Sequence, residues 1–87
     1  MGNIMFSEEA FEDYLYWQTQ DRRTLRRINL LLKELCRNPF EGLGKPEPLR
    51  QNHSGLWSRR IDEVNRLVYC VLDKHVVIYQ CKGHYDG

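Results

Sequence analysis

Glu47 lies between two prolines in Lys45-Pro46-Glu47-Pro48-Leu49, arginines follow at Arg59, Arg60 and Arg66, and His84-Tyr85 comes late in the chain. A held carboxylate, several guanidiniums and an imidazole are a base, an anion clamp and an acid, the side chains a metal-free ribonuclease needs. Each proline fixes its own φ and steers its predecessor, Lys45 or Glu47, toward extended backbone. Such stiffness suits a proton acceptor that must meet one hydroxyl. The same stretch also reads as a rigid surface connector that Glu47 merely solvates.

Alternation along Trp57-Ser58-Arg59-Arg60-Ile61 sends Arg59 and Arg60 to opposite faces of a strand, so at most one of them shares a given site. Arg66 opens the next strand, where its guanidinium can lean back across the hairpin. Guanidinium forks match phosphate oxygens and keep their charge at every relevant pH. Pairing with Asp62 or Glu63 is the plainer role for any one of them. Imidazole titrates near ~6.5, which fits His84 for giving a proton to a leaving alkoxide, and Tyr85 suits base stacking or a phosphate hydrogen bond. Plain surface placement is the alternative for both.

These side chains need elements to hold them. Ser7 followed by Glu8 and Glu9 starts a helix: a hydroxyl for the first amides, then acids on the positive end of the dipole. Ala10, Phe11, Tyr14 and Leu15 keep its apolar stripe, with Trp17 at its end. A second helix begins near Asp21, with Leu25, Ile28, Leu31, Leu32 and Leu35 on one face and Arg22, Arg23, Arg26 and Arg27 over much of the other. Asn38-Pro39 stops it. Residues 38–55 hold all three prolines and three of the six glycines, which predicts a long docked loop. Beyond it, 56–61, 66–72 and 76–81 are rich in β-branched and aromatic residues, and their short connections predict antiparallel pairing. Residues 3–6 add an edge strand. The expected fold is α+β: two N-terminal helices packed on one face of a twisted antiparallel sheet.

Composition bounds the function classes. The 87 residues are read as one domain spanning 1–87, and 41% apolar content supports a core without staples. Net charge is only +1, so bulk charge does not drive nucleic-acid binding, but residues 45–60 carry four basic side chains against Glu47 alone. Within that patch Lys45, Arg50 and Arg60 are candidates for holding a phosphate backbone. Cys36, Cys70 and Cys81 are odd in number and form no CxxC, so they read as reduced core thiols. Cys81 and His84 have the spacing of half a metal site with no second half, and no cofactor is expected. No apolar run approaches the roughly 18 residues of a membrane span, and no signal core opens the chain. Met1-Gly2 lacks the Ser or Thr a myristoylation start wants at Phe6. A cytoplasmic protein is expected.

The chain resembles the Txe/YoeB family of bacterial toxins, within the wider RelE-like messenger RNA interferases. The likeness runs through Phe6-Ser7-Glu8-Glu9, Asp13-Tyr14-Leu15-Tyr16-Trp17, Asn38-Pro39-Phe40-Glu41-Gly42, Gly44-Lys45-Pro46-Glu47-Pro48-Leu49, Ser54-Gly55-Leu56-Trp57-Ser58-Arg59-Arg60-Ile61, Arg66-Leu67-Val68-Tyr69 and His84-Tyr85. The resemblance implies a microbial RNase-like fold. It implies Glu47 as general base, His84 as general acid, Arg66 as transition-state clamp, Tyr85 as the terminal tyrosine of the site and Arg60 as a further phosphate ligand. The implied reaction is attack of a 2′-hydroxyl on the adjacent phosphate of messenger RNA in the A site of the 70S ribosome. The implied inhibitor is a YefM-like antitoxin, with operator DNA reached through the antitoxin complex. A catalytically inactive ribosome-binding module or an antitoxin-dependent corepressor is the alternative reading, and monomer and homodimer both stay open. Two departures stand out: Arg50 where relatives often carry lysine, and Asp86-Gly87 continuing past Tyr85, a carboxylate that can repel RNA phosphate.

Overall fold

The computed structural model describes residues 3–50 and 55–84. Helix α1 spans Glu8–Gln20, and the Ser7 side chain accepts from the Ala10 amide at its start. Asp21 separates it from helix α2, Arg22–Leu35, and caps α2 by accepting from the amides of Arg23 and Thr24 at 3.1 and 3.2 Å. Ile28, Leu31, Leu32 and Leu35 of α2 are buried as the periodicity predicts, with Leu25 packed at the margin. In α1 the buried line is Ala10 and Trp17, whereas Phe11 and Leu15 remain 51% and 42% exposed. The helix is rotated so that the Trp17 indole N–H donates to the Cys81 carbonyl at 2.9 Å. That bond satisfies a buried donor, and it fixes which side of α1 meets the sheet.

Five strands follow in the spatial order β1-β5-β4-β3-β2: β1 Ile4–Phe6, β2 Glu47–Pro48, β3 Leu56–Arg60, β4 Arg66–Leu72 and β5 His75–Gln80. Strands β3, β4 and β5 pair antiparallel, as expected, and β2 joins β3 in the same sense, but β1 runs parallel to β5. The sheet is therefore mixed. Its parallel edge is sealed by amides at both ends: Val76 donates to Asn3 and Ser7 to Ile78, each at 2.8 Å. Both helices pack on the face that carries Trp57, Leu67, Tyr69, Val76 and Ile78. Burying each such side chain fully stabilises the fold by about 1.5–3 kcal/mol.

The long 38–55 segment departs from a plain loop. Within it Glu47 and Pro48 pair with Ser58 and Trp57 as an edge strand. An edge tolerates Pro48, since the missing amide would have faced solvent. Lys45 is not extended as its position before Pro46 suggested; it has φ 51°. The chain must turn sharply there, because Gly44 is pinned against β3, with its carbonyl accepting from the Arg60 amide at 2.7 Å. Gly44 itself has φ 85°, and a Cβ on it would lie 3.0 Å from Leu31 Cδ2 and 3.1 Å from the Arg60 carbonyl. Only glycine fits both the conformation and the gap. No helix among the described residues is long and apolar enough to cross a membrane.

Candidate active site

Register assembles the site. Glu47 pairs with Ser58, and Arg60 pairs with Arg66. Paired residues share a face, and residues two apart along a strand do too. Glu47, Ser58, Arg60 and Arg66 therefore stand on the sheet face opposite the helices, on strands about 5 Å apart. Lys45 joins them at the same end, directly after Gly44 and beside Arg60. Two guanidiniums directly opposite each other repel, and an exposed face offers them an anion as the natural remedy. A neighbouring depression of about 420 Å³ on this face is rimmed by Glu8, Glu9 and Tyr79. Its acids make it a poor seat for phosphate, whereas positive charge gathers at the Arg60–Arg66 end.

The turn between β3 and β4 holds Arg66 and the chain's tail together. The Arg66 Nη1 donates to the carbonyls of Asp62 and Asn65 at 2.7 and 3.2 Å. The Asp62 carboxylate is occupied elsewhere, accepting from the amides of Val64 and Asn65 and from the Asn65 side chain. Partial burial raises the Asp62 carboxyl, but these hydrogen bonds, with the Arg66 charge, hold it below the ordinary value. Asn65 then reaches across: its Oδ1 accepts from the Gly83 amide at 2.7 Å, while the Gly83 carbonyl accepts from the Arg66 amide at 2.9 Å. His84 is thereby delivered next to Arg66, on the solvent side.

Arg59 has the opposite role. It is fully buried on the helix face and ion-paired with Glu34. Its guanidinium also donates to the carbonyls of Asn38, Glu41 and Leu43 and, through Nε, to the Tyr69 hydroxyl. Tyr69 passes the connection on by donating to the Pro39 carbonyl. One buried cation thus ties the segment leading to Glu47 onto the sheet. The Leu43 amide and the Arg59 guanidinium hold the Glu34 carboxyl below its ordinary range. Alternation foretells the two faces but not this clamp; a carboxylate on α2 facing an arginine on a strand is the available signal.

Of the residues singled out in the sequence, Glu47, Arg60 and Arg66 are brought to one face, with Lys45 adjoining, and His84 follows Gly83, which is bonded to Arg66. Arg50 is not brought to Arg60 and Arg66: it follows Leu49, whose amide donates to Leu56, at the far end of β3. Tyr85, the Asp86-Gly87 tail and His53 lie outside the described residues. Among the described residues no group of three or more His, Cys, Asp or Glu side chains is placed to hold a metal ion.

A family model described as "YoeB-like toxin of bacterial type II toxin-antitoxin system" matches residues 6–85. The chain is also 55% identical to Toxin YoeB of Escherichia coli K12 over 82 residues, covering 94% of this chain and 98% of that one. The chain belongs to the YoeB toxin family. Among solved YoeB structures, one described as a YoeB dimer from Staphylococcus aureus superposes with a TM-score of 0.90 at 52% identity, covering 97% of this chain and 98% of that chain. A heterotetrameric YoeB-YefM toxin-antitoxin complex from the same organism gives 0.88 at 51% identity, covering 98% of this chain and 99% of that chain. The mixed sheet with two helices on one face is thus the YoeB fold, and the chain is a toxin of a toxin–antitoxin system.

Proposed function

We propose that this YoeB-type toxin is an endoribonuclease that cuts messenger RNA in the ribosomal A site and so arrests translation. The observation that carries the reading is the Arg60–Arg66 pair, two arginines at directly opposed strand positions on the face that also bears Glu47. Their mutual repulsion is relieved by one bound phosphodiester, and more fully by the extra negative charge of its pentacoordinate transition state.

In the reaction, Glu47 accepts the proton of the 2′-hydroxyl as that oxygen bonds to phosphorus. The P–O5′ bond breaks, and His84 gives its proton to the departing 5′-oxygen. The products are a 2′,3′-cyclic phosphate and a 5′-hydroxyl end, with base and acid each one proton changed until solvent resets them. Base, clamp and acid supply what the step needs without a metal. Lys45 and Arg50 bind backbone phosphate on either side of Glu47, and Tyr85, next in sequence to His84, takes the role of the family's terminal tyrosine. Because the solved relatives include a YoeB–YefM complex and a YoeB dimer, a YefM-like antitoxin and a homodimer are the proposed protein partners.

Primer extension on messenger RNA, with and without 70S ribosomes, tests this. Wild-type protein should create new 5′ ends only with ribosomes, and Glu47→Gln, Arg66→Ala or His84→Ala should lower the cleavage rate by about 100-fold or more. Absence of new ends at any codon would overturn the enzyme in favour of a ribosome-binding module.

A further inference from the structure

Helix α2 opens on four arginines within its first six positions, Arg22, Arg23, Arg26 and Arg27, with no acid in the first turn. Arg22–Arg26 and Arg23–Arg27 are like-charge pairs one turn apart, which destabilise a helix. They also sit at the end where the helix dipole disfavours cations. Among the described residues none of the four forms a salt bridge with a carboxylate. Asp21, the nearest acid, is engaged in capping, its carboxylate accepting from two amides and from the Thr24 hydroxyl. A purely structural helix face would interleave acids here. This one keeps its repulsion.

Arg27 is engaged elsewhere, since its guanidinium donates to the carbonyls of Ile61 and Arg60 at 3.2 and 3.1 Å, at the end of β3. Arg22, Arg23 and Arg26 are exposed. Arg22 and Arg26 line a cleft of about 470 Å³ floored partly by Leu25, and Arg23 lines a second of about 350 Å³ that reaches Asp62. Apart from Leu30, which is exposed further along the helix, the apolar residues of α2 pack into or against the core, so the arginine-bearing end offers guanidiniums and few anchors for a peptide helix. Charge without apolar anchors fits a phosphate backbone.

The position of the surface says which RNA. The helices cover one face of the sheet, whereas Glu47, Arg60 and Arg66 stand on the other. The molecule measures 25 Å across its least extent, so a few nucleotides of message lying at the site do not also reach α2. We infer that Arg22, Arg23 and Arg26 form a second RNA surface that docks on the backbone of structured ribosomal RNA while the message occupies the sheet face. This rests on the proposed ribosome-dependent cleavage, which it deepens by assigning the contact that seats the toxin.

The test uses programmed 70S ribosomes and the double variants Arg22→Glu/Arg26→Glu, Arg22→Gln/Arg26→Gln and Arg22→Lys/Arg26→Lys. Charge reversal should raise KM about tenfold or more with kcat unchanged, and flatten the dependence of log KM on log salt by about 2. The glutamine variant should shift both in the same direction by less, and the lysine variant should stay near wild type. Reversal suits the dipole and gives Arg23 an opposite charge three residues on, which offsets the like-charge pair that remains at 22 and 26. The variant should therefore melt no lower than wild type, which separates lost docking from lost fold. Unchanged KM and salt slope in a cutting wild-type background overturn the surface and leave the active site standing. If wild type cuts nothing, co-sedimentation with 70S particles still decides: equal pelleting of wild type and the charge-reversed protein overturns the inference. Loss of antitoxin capture with ribosome binding intact overturns it too, and assigns the arginines to an acidic peptide.

Discussion

Arg59 and Arg60 are chain neighbours with opposite fates, because a strand sends consecutive side chains to opposite faces. Arg59 is sealed in the helix layer with a carboxylate, three carbonyls and a tyrosine hydroxyl around it. Removing it strands those groups, so Arg59→Ala should lower unfolding free energy by about 3–5 kcal/mol, the usual cost of breaking a buried pair. Arg60→Ala should change stability by less than about 0.5 kcal/mol, as exposed substitutions do, while reducing cleavage. Urea titration of both variants checks this, and equal losses would show that the buried clamp has been misassigned. The pairing of Arg60 with Arg66 is legible in the alternation and the short 62–65 turn. The delivery of His84 by Asn65 is not, since a side-chain bridge to Gly83 depends on register that no local pattern encodes.

At the scale of elements, the telling piece is the segment that carries Glu47 from α2 to the sheet edge. Its prolines and glycines announce a loop, and β2 within it stays hidden because two paired residues leave no period to read. Its attachment runs through Glu34, which accepts from the Leu43 amide and from Arg59. The Glu34 carboxyl is held below its ordinary 4.5, first by the Leu43 amide and then by Arg59. A depressed value means a stabilising contribution that is complete above 4.5 and disappears as pH falls through the lowered value. Thermal melts between neutral and acid pH should therefore show a falling limb below 4.5 that Glu34→Gln makes shallower. A variant whose acid limb matches wild type would rule out this carboxyl as its source.

For the molecule as a whole, α+β with both helices on one sheet face follows from the spacing of Ile28, Leu31 and Leu35 and from three β-rich runs near the end. The parallel seat of β1 does not, since it joins residues more than seventy positions apart through tertiary packing alone. Cys81 reports on that packing. Burial, with the Asp13 charge adding, pushes its thiol up to about 12. In native protein at pH 8 Cys81 should resist a thiol reagent, and the rate of its labelling in denaturant should track unfolding. Rapid labelling of Cys81 in the native state would contradict its placement.

The strand order has a consequence for how the molecule comes into being. Strand β5, the last of the described strands in chain order, sits between β1 and β4 and is the only hydrogen-bonded route by which the described part of β1 joins the sheet. The Gly83 carbonyl and amide that lodge the tail beside Arg66 come later still. A growing chain therefore has the strands that carry Glu47, Arg60 and Arg66 before it has the segment that sets His84 beside Arg66. A chain interrupted before residue 75 has both described helices but lacks Gly83 and His84, and β1 has no strand to pair with.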